Sequence, residues 1–141
     1  MIHIQQSPLT DQLWQECQPL IQANAQAAGD YPLRADKWAI QALNLSIWTM
    51  RDKGKLVGYC AHVVAEHPIY AQRWASCCAI YVMPAWRGCA RRMIKQIEKD
   101  LIAMDVRHVT YSCPSLSSFA PFLENRRMGY QCMEIVMEKE L

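Results

Sequence analysis

Between Trp74 and Met104 the chain reads WASCCAIYVMPAWRGCARRMIKQIEKDLIAM, and no other segment restricts the fold as much. Ala79-Ile80-Tyr81-Val82-Met83 is apolar and carries β-branched residues, as a buried strand does, and it stops at Pro84. A short turn with Arg87 and Gly88 follows. From about Cys89 to Met104, the residues Ala90, Met93, Ile94, Ile97, Leu101 and Met104 recur at helical spacing and form one apolar stripe. A strand feeding a turn at a helix N-terminus creates an anion site. The first N–H groups of a helix lack partners within it, and its dipole favours negative charge there. Arg87, Arg91, Arg92 and Lys95 crowd that turn. The pattern predicts a strand–turn–helix unit that holds phosphates.

The rest of the chain reads as one compact domain over residues 1–141, without linkers or repeats. Ile2–Gln5 alternates as a first strand. Ser7 to Asp11 is a helix-start cluster, and Leu13, Trp14, Cys17, Leu20, Ile21 and Ala25 continue at helical spacing. Pro19 should kink or split that helix. A break at Gly29–Pro32 precedes a second short helix, from Asp36 as its cap to about Leu43. Leu45–Arg51 and Leu56–Ala65 are strands joined by a hairpin turn at Asp52-Lys53-Gly54-Lys55. A loop around His67 and Tyr70 leads into the strand Trp74–Met83. After the helix come a strand at Arg107–Cys113, a helix at Ser115–Arg127, which Pro121 should distort unless it sits in the first turn, and a last strand at Tyr130–Glu140.

Composition narrows the functional classes. With 52% apolar residues in 141, the chain can bury a proper core. A net charge of +2 is too small for general nucleic-acid affinity, so a face built on Arg87, Arg91, Arg92, Arg126 and Arg127 is disfavoured. No stretch is long and apolar enough for a membrane span, and the first residues have neither the basic nor the apolar part of a signal peptide. A cytoplasmic protein with no membrane partner is expected. The seven cysteines form no C-x-x-C pair and, with the histidines, no zinc-like spacing. Cys60-Ala61-His62 comes nearest, two residues of one strand face without a second ligand pair nearby in sequence. No metal is expected. Cys89 and Cys113 should lie near the phosphate turn, where alkylation would interfere with binding.

The segment Tyr81-Val82-Met83-Pro84, Trp86-Arg87-Gly88, Cys89-Ala90-Arg91-Arg92-Met93-Ile94 resembles the coenzyme A-binding core of the GCN5-related N-acetyltransferases (GNATs). Among them it looks closest to small acetyltransferase-like proteins of bacteriophages. The resemblance covers nearly the whole chain, because the element order β-α-α-β-β-β-α-β-α-β also fits. It implies an α/β (α+β) acyl-CoA N-acyltransferase fold, with a central mixed, mostly antiparallel sheet and helices on both faces.

By the same resemblance the cofactor is acetyl-CoA. The main chain of Ile80, Tyr81 and Val82 would meet its acyl arm, and the turn of Arg87, Gly88, Cys89, Ala90, Arg91 and Arg92 its pyrophosphate. Two departures stand out. Where relatives keep a second small residue this chain has Arg92, and the turn is about two residues shorter than is common. The acid that many relatives carry on the central strand falls near Cys77 or Cys78. The Tyr they place before a Gly-aromatic pair is absent before Gly129-Tyr130.

His67 and Tyr70, in the loop before the central strand, are therefore the candidate catalytic residues, since an unperturbed histidine titrates near neutrality. Glu66, Ser115 and Ser117 are substitutes by proximity. Tyr81 and Tyr111 read as strand packing and Asp36 as a cap. Trp14, Tyr31 and Trp38, with His67 and Tyr70, are the residues that would bound an acceptor pocket. The implied function is transfer of an acetyl group to a primary amine of a small molecule or protein. The alternative is a catalytically degenerate binding protein docking on a host protein. A homodimer through the last strand is allowed and not required.

Overall fold

The computed structural model describes residues 1–28, 41, 44–113, 118–133 and 139. Their elements are β1 (Ile2–Gln6), α1 (Asp11–Ala28), β2 (Ser46–Asp52), β3 (Lys55–Glu66), β4 (Arg73–Val82), a 3-10 helix (Pro84–Cys89), α2 (Ala90–Ala103), β5 (Val106–Thr110) and α3 (Phe119–Glu124). The expected helix from Asp36 and most of the expected last strand lie outside the described residues. Chain contacts divide the molecule into two units, Met1–Tyr111 and Ser112–Leu141.

In the first unit the five strands lie side by side in the order β1-β2-β3-β4-β5. Neighbours are antiparallel except β4 and β5, which are parallel. The parallel pair needs a crossover, and the 3-10 helix with α2 supplies it. At the β2–β3 hairpin, Lys53 (φ +48°) and Gly54 (φ +83°) are both left-handed, as a two-residue turn matching the strand twist requires.

Both faces of the sheet are covered. Trp48, Met50, Val57 and Cys60 pack with Met93, Ile97 and Leu101 of α2 on one face. Ile47, Leu56, Tyr59 and Ala61 pack with Leu13, Cys17 and Leu20 of α1 on the other. Every residue of β3 from Leu56 to His62 is therefore buried. Polar links fix the helices to the sheet. Trp48 Nε1 donates to Asp100 Oδ2 of α2 at 2.8 Å, and Arg51 Nη2 donates to Glu16 Oε1 of α1 at 3.1 Å. The Arg51 hydrogen bond holds the Glu16 carboxyl below its ordinary value.

The helix α1 does not split at Pro19. The proline is exposed, so its ring disturbs no packing, and Gln18 Nε2 donates to Trp14 O at 3.2 Å in the turn that the missing N–H loosens. In the second unit, α3 holds Pro121 in its first turn, where no N–H is needed. Asn125 Oδ1 accepts from the N–H groups of Arg127 and Met128, and Gly129 (φ +74°) closes the turn. Tyr130–Met133 is irregular.

Candidate functional site

The strand β4 positions everything that follows. It pairs with β5 only from Arg73–Val106 to Ser76–Thr110 among the described residues. Beyond Ser76 it stays on β3 while β5 departs. Along β3–β4 the register runs Ala61–Ala79 and then His62–Cys77, so Cys78 is an extra residue, a β-bulge. The bulge shifts the alternation of side chains. Cys77 and, past the bulge, Ile80 and Val82 belong to the α2 face, whereas Ala79 and Tyr81 belong to the α1 face. The edge of Cys77–Val82 away from β3 thus presents main-chain groups with no described strand beside them.

That edge runs into the basic turn. Met83 N–H donates to Val57 O at 2.9 Å, and Trp86 N–H to Met83 O at 2.9 Å. Trp86 Nε1 donates to Asp52 Oδ2 at 3.0 Å, and Lys55 Nζ lies 5.6 Å from the centre of a Trp86 ring. The β2–β3 hairpin thereby clamps the turn in place. The Trp86 hydrogen bond, aided by the N-terminal ammonium, holds the Asp52 carboxyl below its ordinary value.

The open helix N-terminus expected from sequence is partly closed. The 3-10 helix runs directly into α2, and Ala90 N–H donates to Arg87 O. Arg87 also turns its Nε toward Val82 O at 3.4 Å, and Lys95 pairs with Glu98 at 2.9 Å. Arg91 and Arg92 stand exposed on the first turn of α2. Gly88 has no left-handed φ, and a Cβ built on it meets nothing within 4 Å among the described residues. The turn itself does not demand glycine there.

His67 and Tyr70 lie elsewhere. They sit in the β3–β4 hairpin tip, before Arg73, while the arginine turn follows Val82. The run from Trp74 to Val82 corresponds to about 25 Å of strand. His67 Nδ1 accepts from the N–H groups of Ile69 (3.2 Å) and Tyr70 (3.1 Å), and its ring stacks on Tyr70 and packs on Trp74. The histidine organises this loop, as short polar side chains do when they satisfy local main-chain donors. Tyr70 is exposed and Glu66 is exposed at the end of β3. Cys89 packs against the α2-face core, Trp14 is half-buried on α1, and Cys113 belongs to the second unit. Ser115, Ser117, Tyr31, Trp38 and Asp36 lie outside the described residues.

One constellation was legible only in part, as the pair Cys60 and His62. Cys77 joins Cys60 and His62, with Cys60 Sγ 3.6 Å from His62 Nδ1 and 3.8 Å from Cys77 Sγ. His62 is fully buried, edge-on between the Trp48 and Tyr111 rings. Burial pushes its pKa down to about 4, and burial followed by the Cys77 hydrogen bond pushes the Cys60 thiol well up. Burial also pushes Tyr59 up to about 12. Each of these groups is moved away from neutrality.

A folded-state histidine pKa below its ordinary 6.5 means that the unfolded chain binds more protons in between. Stability should therefore fall as the pH drops from about 6.5 toward about 4. Denaturant midpoints measured across that range should show a fall that shrinks in His62→Phe.

The sequence profile of the acetyltransferase (GNAT) family matches residues 9–118. The chain belongs to that family. Its fold is the family's, a curled mixed five-stranded sheet with helices, and acetyltransferases of this family use acetyl-CoA. No curated protein matches it.

Among solved structures it is similar to an aminoglycoside acetyltransferase, meta-AAC0020, from an uncultured soil metagenomic sample in complex with trehalose. The TM-score is 0.78 at 16% identity, over 99% of this chain and 95% of that one. A ribosomal-protein-alanine N-acetyltransferase from Brucella melitensis biovar Abortus 2308 gives 0.75 at 20% identity, over 99% and 100%. AAC(6')-Iy in complex with the bisubstrate analogue CoA-S-monomethyl-acetylneamine gives 0.75 at 13% identity, over 100% and 98%. At these identities the likeness is one of fold. No helix among the described residues is long and apolar enough to cross a membrane.

Proposed function

We propose that this chain is an acetyl-CoA-dependent N-acetyltransferase acting on a primary amine of a small molecule or protein. One observation carries the reading: β4 parts from β5 after Ser76 and leads, open on one edge, into a turn bearing Arg91 and Arg92 beside an unfilled Gly88. The residues fit the group. An extended amide-containing arm suits the main chain of Ile80, Tyr81 and Val82, which can bond it as another strand would. Gly88, Cys89 and Ala90 give a small-residue contour, and Arg91 and Arg92, with Arg87 behind them, supply the positive charge a pyrophosphate needs.

Bound acetyl-CoA supplies an activated acetyl thioester. The protein's part is to hold the acyl arm against a fixed edge and to offer main-chain N–H groups to a developing oxyanion. His67 and Tyr70 are left out of this proposed site, because they order the far hairpin tip. As the new C–N bond forms and the C–S bond breaks, the amine's proton would leave to water or to a group on the acceptor, and the freed coenzyme A thiolate would take its proton from water.

A second reading is a binding protein that keeps the fold without turnover, as in a phage-encoded chain docking on a host protein. It is favoured by the placement of His67, whose Nδ1 serves main-chain donors in the hairpin tip, and by Cys77 and Cys78 on β4 where an acidic residue would serve as a base.

Calorimetric titration with acetyl-CoA, followed by turnover assays on aminoglycosides and peptide N-termini, separates the readings. The enzyme reading expects saturable binding and thioester loss that requires an amine. Arg91→Glu with Arg92→Glu should weaken binding about tenfold to a hundredfold, the loss of two charge-assisted contacts, with circular dichroism unchanged. Equal affinity in the double variant would remove the phosphates from this turn. Binding without turnover would favour the second reading.

A further inference from the structure

Cys60 and His62 lie two residues apart on β3, and the register sets Cys77 of β4 directly opposite His62. All three donor atoms fall within 4.8 Å of one another. For zinc with S ligands at about 2.3 Å and N ligands at about 2.0–2.1 Å, neighbouring tetrahedral vertices are separated by about 3.8 Å for two sulfurs and about 3.6 Å for sulfur and nitrogen. The observed separations are 3.8 Å for Cys60 Sγ–Cys77 Sγ and 3.6 Å for Cys60 Sγ–His62 Nδ1. Thiol hydrogen bonds also adopt this spacing, and a tetrahedral ion accepts it.

Burial points the same way. Cys60 and His62 are 0% exposed, and His62 Nδ1 meets the weak Cys60 thiol rather than a strong hydrogen-bonding group. Two thiolates and a neutral imidazole around a divalent cation make a centre with no net charge, which a core tolerates. Access exists at Cys77, which is half-buried and is the first residue of β4 beyond its pairing with β5. Sulfur and imidazole donors select against Mg2+ and Ca2+.

We propose that Cys60, His62 and Cys77 form a three-ligand Zn2+ site at the β3–β4 bulge, separate from the arginine turn. On binding, the S–H bonds of Cys60 and Cys77 break and two S–Zn bonds form. Each thiol releases its proton to solvent, and Nδ1 donates its lone pair. The fourth position is left to water or another small ligand.

The test uses the full chain, stripped of metal and held reduced. Titration with Cd2+ alone should develop thiolate-to-cadmium charge-transfer absorption that saturates at one equivalent, with acid released into a weakly buffered solution. Zn2+ should abolish that absorption by competition and raise the melting temperature. Cys77→Ser, at the half-buried position, should lose the absorption while keeping its circular dichroism, and so should Cys60→Ser. His62→Phe should weaken the complex, and Cys132→Ser, in the second unit, should leave it unchanged. Absence of a saturable signal in the unaltered chain overturns the site. A signal that survives Cys77→Ser or disappears with Cys132→Ser overturns it equally, because other cysteines would then hold the ion.

Discussion

Trp48→Ala should cost about 3–5 kcal/mol of folding stability, the range for truncating a large buried aromatic. Trp48 is 0% exposed, at the centre of the α2-face core with Met50, Met93 and Ile97. It also joins sheet to helix, because Nε1 donates to Asp100 Oδ2 at 2.8 Å. Trp48→Phe separates the two contributions. It keeps most of the volume and removes the donor. Asp100 is only half-buried and still accepts from Gln96 Nε2 at 2.8 Å, so Trp48→Phe should cost about 1–2 kcal/mol.

A domain of this size has about 5–15 kcal/mol in total, so the alanine variant should show a much lower denaturant midpoint and a measurable unfolded fraction on warming. The functional consequence follows from position. The residue anchors α2, and the first turn of α2 carries Arg91 and Arg92. Equal losses for alanine and phenylalanine would show that the volume of the indole contributes nothing, and that α2 is held by its hydrogen bond alone.

How much of this was legible depended on how local each cause was. The helix α2 spans Ala90–Ala103 against an expected Cys89–Met104, because its apolar stripe is written in adjacent turns. The β2–β3 turn was readable from Lys53-Gly54, since left-handed φ values are a property of those two residues. The arginine turn was readable as charge but not as shape. Nothing in Pro84–Cys89 says that a 3-10 helix will carry into α2 and use the N–H of Ala90.

The Cys60–His62–Cys77 cluster was hidden for a different reason. Its third member is set by cross-strand register and by a bulge at Cys78, and both depend on the packing of two faces. A spacing rule along the chain cannot see them. His67, expected as a catalytic residue, lies in the β3–β4 hairpin tip, where its Nδ1 accepts from main-chain donors two and three residues on. An unperturbed pKa near neutrality suits many histidines, and only geometry distinguishes a base from a loop pin.

Two glycines give the largest contrast between stability and binding. At Gly58, on β3 opposite Val82, an added Cβ would lie 3.1 Å from Met50 Cε, 3.2 Å from Tyr81 O and 3.2 Å from Val82 Cγ2. The methionine end can move aside, but the Tyr81 carbonyl belongs to the main chain. Gly58→Ala should therefore cost about 1–3 kcal/mol as overpacking. It should also weaken acetyl-CoA binding, because the strain falls on Tyr81 and Val82, the main chain assigned to the acyl arm.

At Gly88 the same added carbon meets only open space, and the backbone is not left-handed. Gly88→Ala should hold or raise stability by up to about 1 kcal/mol, since it restricts the unfolded chain without straining the folded one. Gly88→Leu should leave the denaturant midpoint near that of the unaltered protein. Its side chain would stand in the path of the phosphates in the proposed site, so on that reading acetyl-CoA affinity should drop by about tenfold or more. The pair makes the assignment of the turn decisive. Undiminished affinity in Gly88→Leu would place the pyrophosphate elsewhere, whereas lost affinity with lost stability would show the turn to be packing rather than a ligand surface.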